Sequence, residues 1–204
     1  MLDVRNLGFS RGKNILFEAL NFSLTSGSAM RVTGSNGSGK TTLLRLLSGL
    51  SRPDQGMVCW RGESVTKNHS EFVKSVNFVG HDDGLKKQLT AAENLRFTLP
   101  LLGVSPSAKD VDLALDAAGL ESVKNRPVMH LSAGQKRRVA LSRLDFMSHR
   151  ALWILDEPFT SLDVAAISSL AEKLNKHIES GGLVIFTTHQ SFDMIPQAVS
   201  LVLD

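Results

Sequence analysis

A single cysteine in 204 residues excludes an intramolecular disulfide and any CxxCH haem-attachment pattern, and a reducing cytosol suits such a chain. Cys59 stands in the apolar run Met57-Val58-Cys59-Trp60 and reads as a small buried hydrophobe with no chemistry of its own. Long apolar runs are missing too. No stretch approaches the ~18 to 20 consecutive apolar residues of a membrane span, and Met1 leads directly into Leu2-Asp3-Val4-Arg5 without the basic and apolar regions of an export signal. The expectation is a chain that neither spans a membrane nor is exported. An excess of one charge sign is equally absent: Lys and Arg number 23 against 20 Asp and Glu, a formal net charge of +3. Charge therefore gives no reason to expect a nucleic acid partner. Internal repeats, low-complexity tracts and long linkers are lacking as well.

What is present is 42% hydrophobic and 21% charged residues, the balance of one globular unit with a real core and no room for a second full domain. Short apolar runs alternate with helical patterns, the rhythm of an α/β protein with a mostly parallel core sheet. Leu20, Phe22 and Leu24 alternate with polar Asn21 and Ser23 ahead of Ser26-Gly27, so the N-terminal β region reads as antiparallel. Ala29 to Thr33 then forms a strand, followed by a glycine-rich loop and a helix through Thr41-Thr42-Leu43-Leu44-Arg45-Leu46-Leu47. Thr90 and Glu93 have capping-box spacing, and the segment from Ser107 ends on Gly119, which suits a helix C-terminus. An inserted helical subdomain is expected over about 84–147 of a single domain spanning 1–204. Beyond it, Ala151 to Leu155 and Leu183 to Phe186 are unbroken apolar runs on either side of a helix from about Asp163 to Ser180. They should be neighbouring buried strands.

Two motifs carry the chemistry. Gly34-Ser35-Asn36-Gly37-Ser38-Gly39-Lys40-Thr41 matches GxxxxGK[ST] between a strand and a helix, the context that a phosphate-binding loop requires. Its glycines let backbone N–H groups turn around a triphosphate, with Thr42 in the first helical turn. Lys40 reaches the β and γ phosphates, and Thr41 offers a hydroxyl to Mg²⁺. The second motif is Leu152-Trp153-Ile154-Leu155-Asp156-Glu157, a buried strand ending in two carboxylates. Alone, these acids fit an ordinary strand-ending turn before Pro158 equally well. Paired with the phosphate loop, Asp156 reads as the Mg²⁺ carboxylate and Glu157 as the group that polarises the water attacking ATP.

A third stretch, Leu131-Ser132-Ala133-Gly134-Gln135 followed by Lys136 to Arg143, resembles the signature sequence and helix of ABC transporter ATPases. Ser132 can cap that helix, and Gly134 permits close approach of a phosphate. The resemblance implies the fold of a P-loop ABC cassette and a head-to-tail dimer with a second ATP-binding subunit. Ser132, Gly134 and Gln135 would then meet the γ-phosphate held opposite, and a monomer would be nearly inactive. Ser161-Leu162-Asp163 is similar to the interface loop of this family, and His189 to its switch histidine. Lys136-Arg137-Arg138 reads as salt-bridged or solvated. Lys86-Lys87 reads as a solvated loop, with a contact to a membrane partner as the alternative.

Two positions depart from the family pattern. Where a glutamine usually links Mg²⁺ to the membrane partner, the sequence has His81-Asp82-Asp83, and Gln88 is too far along. Asp82 is expected to take that role, with His81 as the alternative. The adenine-stacking aromatic near the N-terminus is also missing: register offers Arg11, whose guanidinium can stack on a base, with Phe9 close by.

The resemblance narrows to the ATP-binding subunits of the cytochrome c maturation (Ccm) haem exporters, through stretches such as Leu46-Leu47-Ser48-Gly49-Leu50-Ser51-Arg52-Pro53-Asp54, Leu89-Thr90-Ala91-Ala92-Glu93-Asn94-Leu95-Arg96-Phe97 and Trp153 to Thr160. It implies a peripheral subunit on the cytoplasmic face of the bacterial inner membrane, with ATP and Mg²⁺ as ligands. Its partners would be a hydrophobic Ccm membrane permease and other Ccm haem-handling proteins, and its cycle would export haem or release a haem-loaded chaperone. The six histidines, His69, His81, His130, His149, His177 and His189, form no evident haem pocket. A chromosome-structure ATPase would carry a coiled-coil insertion between Lys40 and Ser132, and a catalytically silent scaffold would have lost Glu157 or His189. The remaining alternative is a cassette serving a transporter of another substrate, which the permease selects.

Overall fold

The computed structural model describes residues 1–188 and 194–203. In chain order the elements are β1 (Leu2–Arg11), β2 (Asn14–Leu24), β3 (Ser28–Gly34), α1 (Lys40–Leu47), β4 (Gln55–Trp60), β5 (Glu63–Ser64), α2 (His69–Ser75), β6 (Val76–Val79), α3 (Ala91–Leu101), α4 (Ala108–Ala117), α5 (Ala133–Ser142), β7 (Leu152–Leu155), α6 (Val164–Glu179), β8 (Leu183–Thr187) and β9 (Ala198–Leu203). They fall into two compact units. One comprises Met1–His81, Arg150–Glu157 and the chain from Ala171 onward, and the other Asp82–His149 and Pro158–Leu170.

The first unit holds both sheets. The alternating N-terminal segment folds as an antiparallel sheet in the order β2-β1-β4-β5. Its register is broken by irregularities where Asn6 and Ala19 take positive φ angles of 47° and 50°. The second sheet is parallel, in the order β6-β7-β8-β3-β9. Strands β7 and β8 are neighbours paired Leu152↔Leu183 through Leu155↔Phe186, and every residue of both is buried. That is the packing expected of uninterrupted apolar runs covered on two faces. Helix α1 buries Leu43, Leu44, Leu46 and Leu47 in one cluster with Leu2 of β1, Val32 of β3 and Ile154 of β7. Burying four leucine side chains contributes roughly 6–12 kcal/mol of transfer free energy before entropy is counted. This packing fixes the loop between β3 and α1 against the carboxyl ends of the strands, where open α/β sheets place ligands.

The second unit is helical. Capping boxes start three of its helices: Thr90 with Glu93 on α3, Ser107 with Asp110 on α4, and Ser132 with Gln135 on α5. Each closes two otherwise unsatisfied N–H groups. Asn94, almost fully buried, ties down the preceding loop by accepting from the Lys86 N–H and donating to the Lys86, Leu89 and Thr90 carbonyls. Arg137 is also buried and pairs with Asp83 at 3.1 Å, so this member of the basic run is a packed ion-pair residue. Among the described residues no helix is long and apolar enough to cross a membrane.

Candidate nucleotide site

The loop after β3 depends on glycine at two points. Gly34 has φ 146°, and a Cβ there would stand 2.1 Å from the Leu203 carbonyl oxygen and 2.7 Å from Ser38 Oγ. Gly39, at φ 97°, is the N-cap of α1 and supplies no side-chain cap. The first N–H groups of that helix are therefore left for a ligand of negative charge. Lys40 folds back over the loop and donates from Nζ to the carbonyls of Gly34 and Ser35, each at 2.8 Å. The Ser38 N–H reaches Ser35 O at 3.3 Å, and the buried Ser38 Oγ has no hydrogen-bond partner. Ser35, Asn36 and Gly37 are exposed at the loop's tip or nearly so.

Asp156, 1% exposed, stands just past β7 with its N–H donated to Val79 O at 2.8 Å. Thr41 Oγ1 donates to its Oδ2 at 2.7 Å and Thr187 Oγ1 to its Oδ1 at 2.7 Å. Thr187 Oγ1 also accepts from the Glu157 N–H at 2.7 Å. A continuous chain thus joins the phosphate-loop threonine to the Asp156 carboxylate and on to the Glu157 backbone N–H. Glu157 adopts φ 49°, a left-handed backbone that is uncommon outside glycine and concentrates at functional sites. Thr42 sits in the first turn of α1, exposed or partly so. Thr187 has no assigned role in the sequence reading. Its signal is the register of β7 and β8: Leu155 pairs with Phe186, which sets Thr187 beside Asp156.

These residues fit a divalent cation of the Mg²⁺ kind. Thr41 Oγ1 and Asp156 Oδ2 meet at 2.7 Å, an all-oxygen donor pair suited to a hard ion. Among the described residues no three His, Cys, Asp or Glu side chains are grouped to hold a metal. An ion here would complete its shell with phosphate oxygens and water, as Mg²⁺ does.

In the helical unit, Ser132 Oγ accepts the Gln135 N–H at 3.2 Å, and Gln135 Oε1 accepts the Ser132 N–H at 2.9 Å. A Cβ on Gly134 would lie 2.5 Å from the Ser161 carbonyl oxygen, so glycine is what lets the α5 tip pack against that loop. Asp163 Oδ1 accepts the Ala166 N–H at 2.8 Å at the start of α6. Asp82 is exposed in this unit, beside the Asp83 held by Arg137. His81 belongs to the sheet unit, with Nδ1 3.8 Å from Glu157 Oε2. Of the two adenine candidates, Phe9 packs against the core cluster, and Arg11 is exposed at the end of β1 opposite Asn14. His189 lies outside the described residues.

The model of the ABC transporter family matches residues 17–160. The chain belongs to the ABC transporter family and is an ATPase subunit of it. Within that family it is similar to the cytochrome c biogenesis ATP-binding export proteins CcmA. It is 44% identical to that of Vibrio vulnificus (strain YJ016) over 93% of this chain and 92% of the relative. It is 47% identical to that of Salmonella typhi over 93% and 90%. Among solved structures, the ATP-binding subunit of an ABC transporter superposes with a TM-score of 0.86 at 24% identity, covering 100% of this chain and 85% of the other. The ATP-binding cassette MJ0796, a post-hydrolysis dimer bound to ADP and Pi, superposes with a TM-score of 0.85 at 24% identity over 100% and 94%. At that identity both similarities speak to the fold.

Proposed function

We propose that this ATPase subunit powers haem handling in c-type cytochrome maturation. A pair of copies, seated on a hydrophobic Ccm permease at the cytoplasmic face of the bacterial inner membrane, couples ATP hydrolysis to export of haem or release of a haem-loaded chaperone. The observation that carries this reading is the 44–47% identity across 93% of the chain with proteins named for cytochrome c biogenesis.

The phosphates of ATP bind along residues 34–42, with Lys40 exchanging the Gly34 and Ser35 carbonyls for β and γ oxygens. Thr41 and Asp156 would hold Mg²⁺, which would supply charge neutralisation to the phosphates. Glu157 accepts a proton from the water that attacks the γ-phosphorus. The bond from that phosphorus to the bridging oxygen breaks, leaving ADP and phosphate. His189 is assigned the γ-phosphate contact from its place in the sequence. Ser132, Gly134 and Gln135 meet the nucleotide held by the partner copy. Asp82 keeps the role expected of the missing glutamine, and unchanged ATPase and transport in Asp82→Ala would remove it from the scheme.

The test is Lys40→Ala in the source organism's own copy, with membrane and periplasmic fractions stained for covalently bound haem. Loss of stained c-type cytochromes, with apoproteins still made, is the expected result. Normal cytochromes would assign this ATPase to a transporter of a different substrate.

A further inference from the structure

We infer that His81 is a positioning residue for Glu157, fixing the rotation of the carboxylate that takes the proton from water. The inference rests on the reading of Glu157 as that proton acceptor.

Strands β6 and β7 run parallel and in register from Val76↔Leu152 to Val79↔Leu155. The Asp156 N–H donates to Val79 O at 2.8 Å, so the pairing continues past the last strand residue. Extending the same offset sets Gly80 beside Asp156 and His81 beside Glu157. The ends of the two paired strands thus bring these residues near one another.

The side chains then supply the chemistry. His81 Nδ1 lies 3.8 Å from Glu157 Oε2, a gap closed to hydrogen-bond length by a small side-chain rotation or spanned by one water. The Glu157 backbone is already fixed by its left-handed φ of 49° and by the bond from its N–H to Thr187. Those constraints place Cα, and His81 faces one oxygen of the carboxylate beyond it. An imidazole N–H donor is suited to this task, since a neutral ring can donate without altering the charge of the carboxylate. The His81 side chain is 62% exposed, so its truncation opens no core cavity, and a loss of activity in its variants is not a loss of folding.

The experiment is a double-mutant cycle on the assembly that hydrolyses ATP, comparing wild type, His81→Ala, Glu157→Gln and the double variant. Single-turnover hydrolysis, Mg-ATP affinity, Mg²⁺ requirement and thermal melting are read for each. His81→Ala is expected to slow hydrolysis by roughly 10- to 100-fold, by analogy with the loss on removing a group that orients a metal ligand. Affinity, Mg²⁺ requirement and melting temperature should stay unchanged, and His81→Asn, which keeps a donor near the Nδ1 position, should recover part of the rate. In the Glu157→Gln background the same change should have no further effect. An equal further loss in that background overturns the inference, as does an unchanged rate in His81→Ala. A raised Mg²⁺ requirement in both backgrounds makes His81 a cation ligand instead. Wild-type turnover by Glu157→Gln alone defeats the underlying reading, an outcome separate from all of these.

Discussion

Two helix N-termini in this chain are built in opposite ways. Helix α1 begins on Gly39 with no side-chain cap, and its free N–H groups face a loop whose lysine is parked on carbonyl oxygens. Helix α5 begins on Ser132 with both halves of a capping box closed. The first end offers its N–H groups to an anion. The second satisfies itself, so any phosphate it meets must compete with an existing cap. On the proposed function, the difference is that between a site that binds and a surface that completes the partner's site.

The sharpest break of this comparison is a pair of substitutions on the α1 side. Lys40→Ala should weaken nucleotide binding and abolish hydrolysis. Glu157→Gln should retain ATP affinity, trap the closed dimer and lower the rate by roughly 100-fold or more. Equilibrium nucleotide binding beside single-turnover rates separates the two, and equal loss of binding in both would contradict the roles. Next in size is Gly134→Ala at the tip of α5. A Cβ 2.5 Å from the Ser161 oxygen forces the helix end or the loop to move, and a displacement near 1 Å costs on the order of 100-fold in rate. Nucleotide affinity of the single chain should be unchanged, because α1 carries that binding. A loss of affinity as large as the loss of rate would mean that the two helix ends are not separable.

The α1 end was more legible in the sequence than the network behind it. A GxxxxGK[ST] loop between an apolar strand and leucines at helical spacing specifies a strand, a turn and a helix through local interactions, and β3 and α1 follow. The signature helix and the Thr90–Glu93 cap are local as well. Thr187 and the Arg137–Asp83 pair were not legible as partners, because they depend on residues 30 to 54 positions away. Such pairings are set by strand register and tertiary packing. The breaks in the antiparallel sheet have the same origin: Gly56 is required where its Cβ would strike the Asn6 and Arg5 carbonyls, a cross-strand fact that no window of sequence contains.

Acid should tell the two units apart. In the sheet unit the buried His177 ring stacks on Trp153 at 3.9 Å, and a Cβ on Gly182 would sit 2.2 Å from its Nε2, which has no hydrogen-bond partner. Burial pushes its pKa from 6.5 down to about 4, against a smaller upward pull from the bond to the Ala151 backbone. The folded state resists protonation more than the unfolded chain does, so this stability is intact above pH 6.5 and declines as the pH falls toward about 4. The loss is roughly 3 kcal/mol in all. In the helical unit, the bonds to Thr90 and Ser107 lower the pKa of Glu93 and Asp110. Their capping persists above the ordinary carboxylate values and fails only as the pH falls below them. Melting temperatures followed from pH 7 to 4 should drop, and His177→Phe, which keeps the stacked ring without its titration, should flatten that fall. An unchanged slope in the variant would put the acid sensitivity elsewhere.

The smallest expected effect bears most directly on the comparison. Ser132→Ala removes the hydroxyl that accepts the Gln135 N–H at 3.2 Å, while Gln135 Oε1 keeps its bond to the Ser132 N–H at 2.9 Å. Half of the cap survives and the lost bond is long, so the cost to folding should sit at the lower end of about 0.5–2 kcal/mol. Ser132→Asp restores an acceptor of the right length for the cap but presents a negative charge to an incoming phosphate. If the hydroxyl serves only the helix, Ser132→Asp should recover both stability and hydrolysis. If α5 completes the partner's site, Ser132→Asp should recover the melting temperature while hydrolysis falls below that of Ser132→Ala. Thermal melts and ATP turnover measured on the same three proteins decide between a cap that merely ends a helix and one that yields to a phosphate.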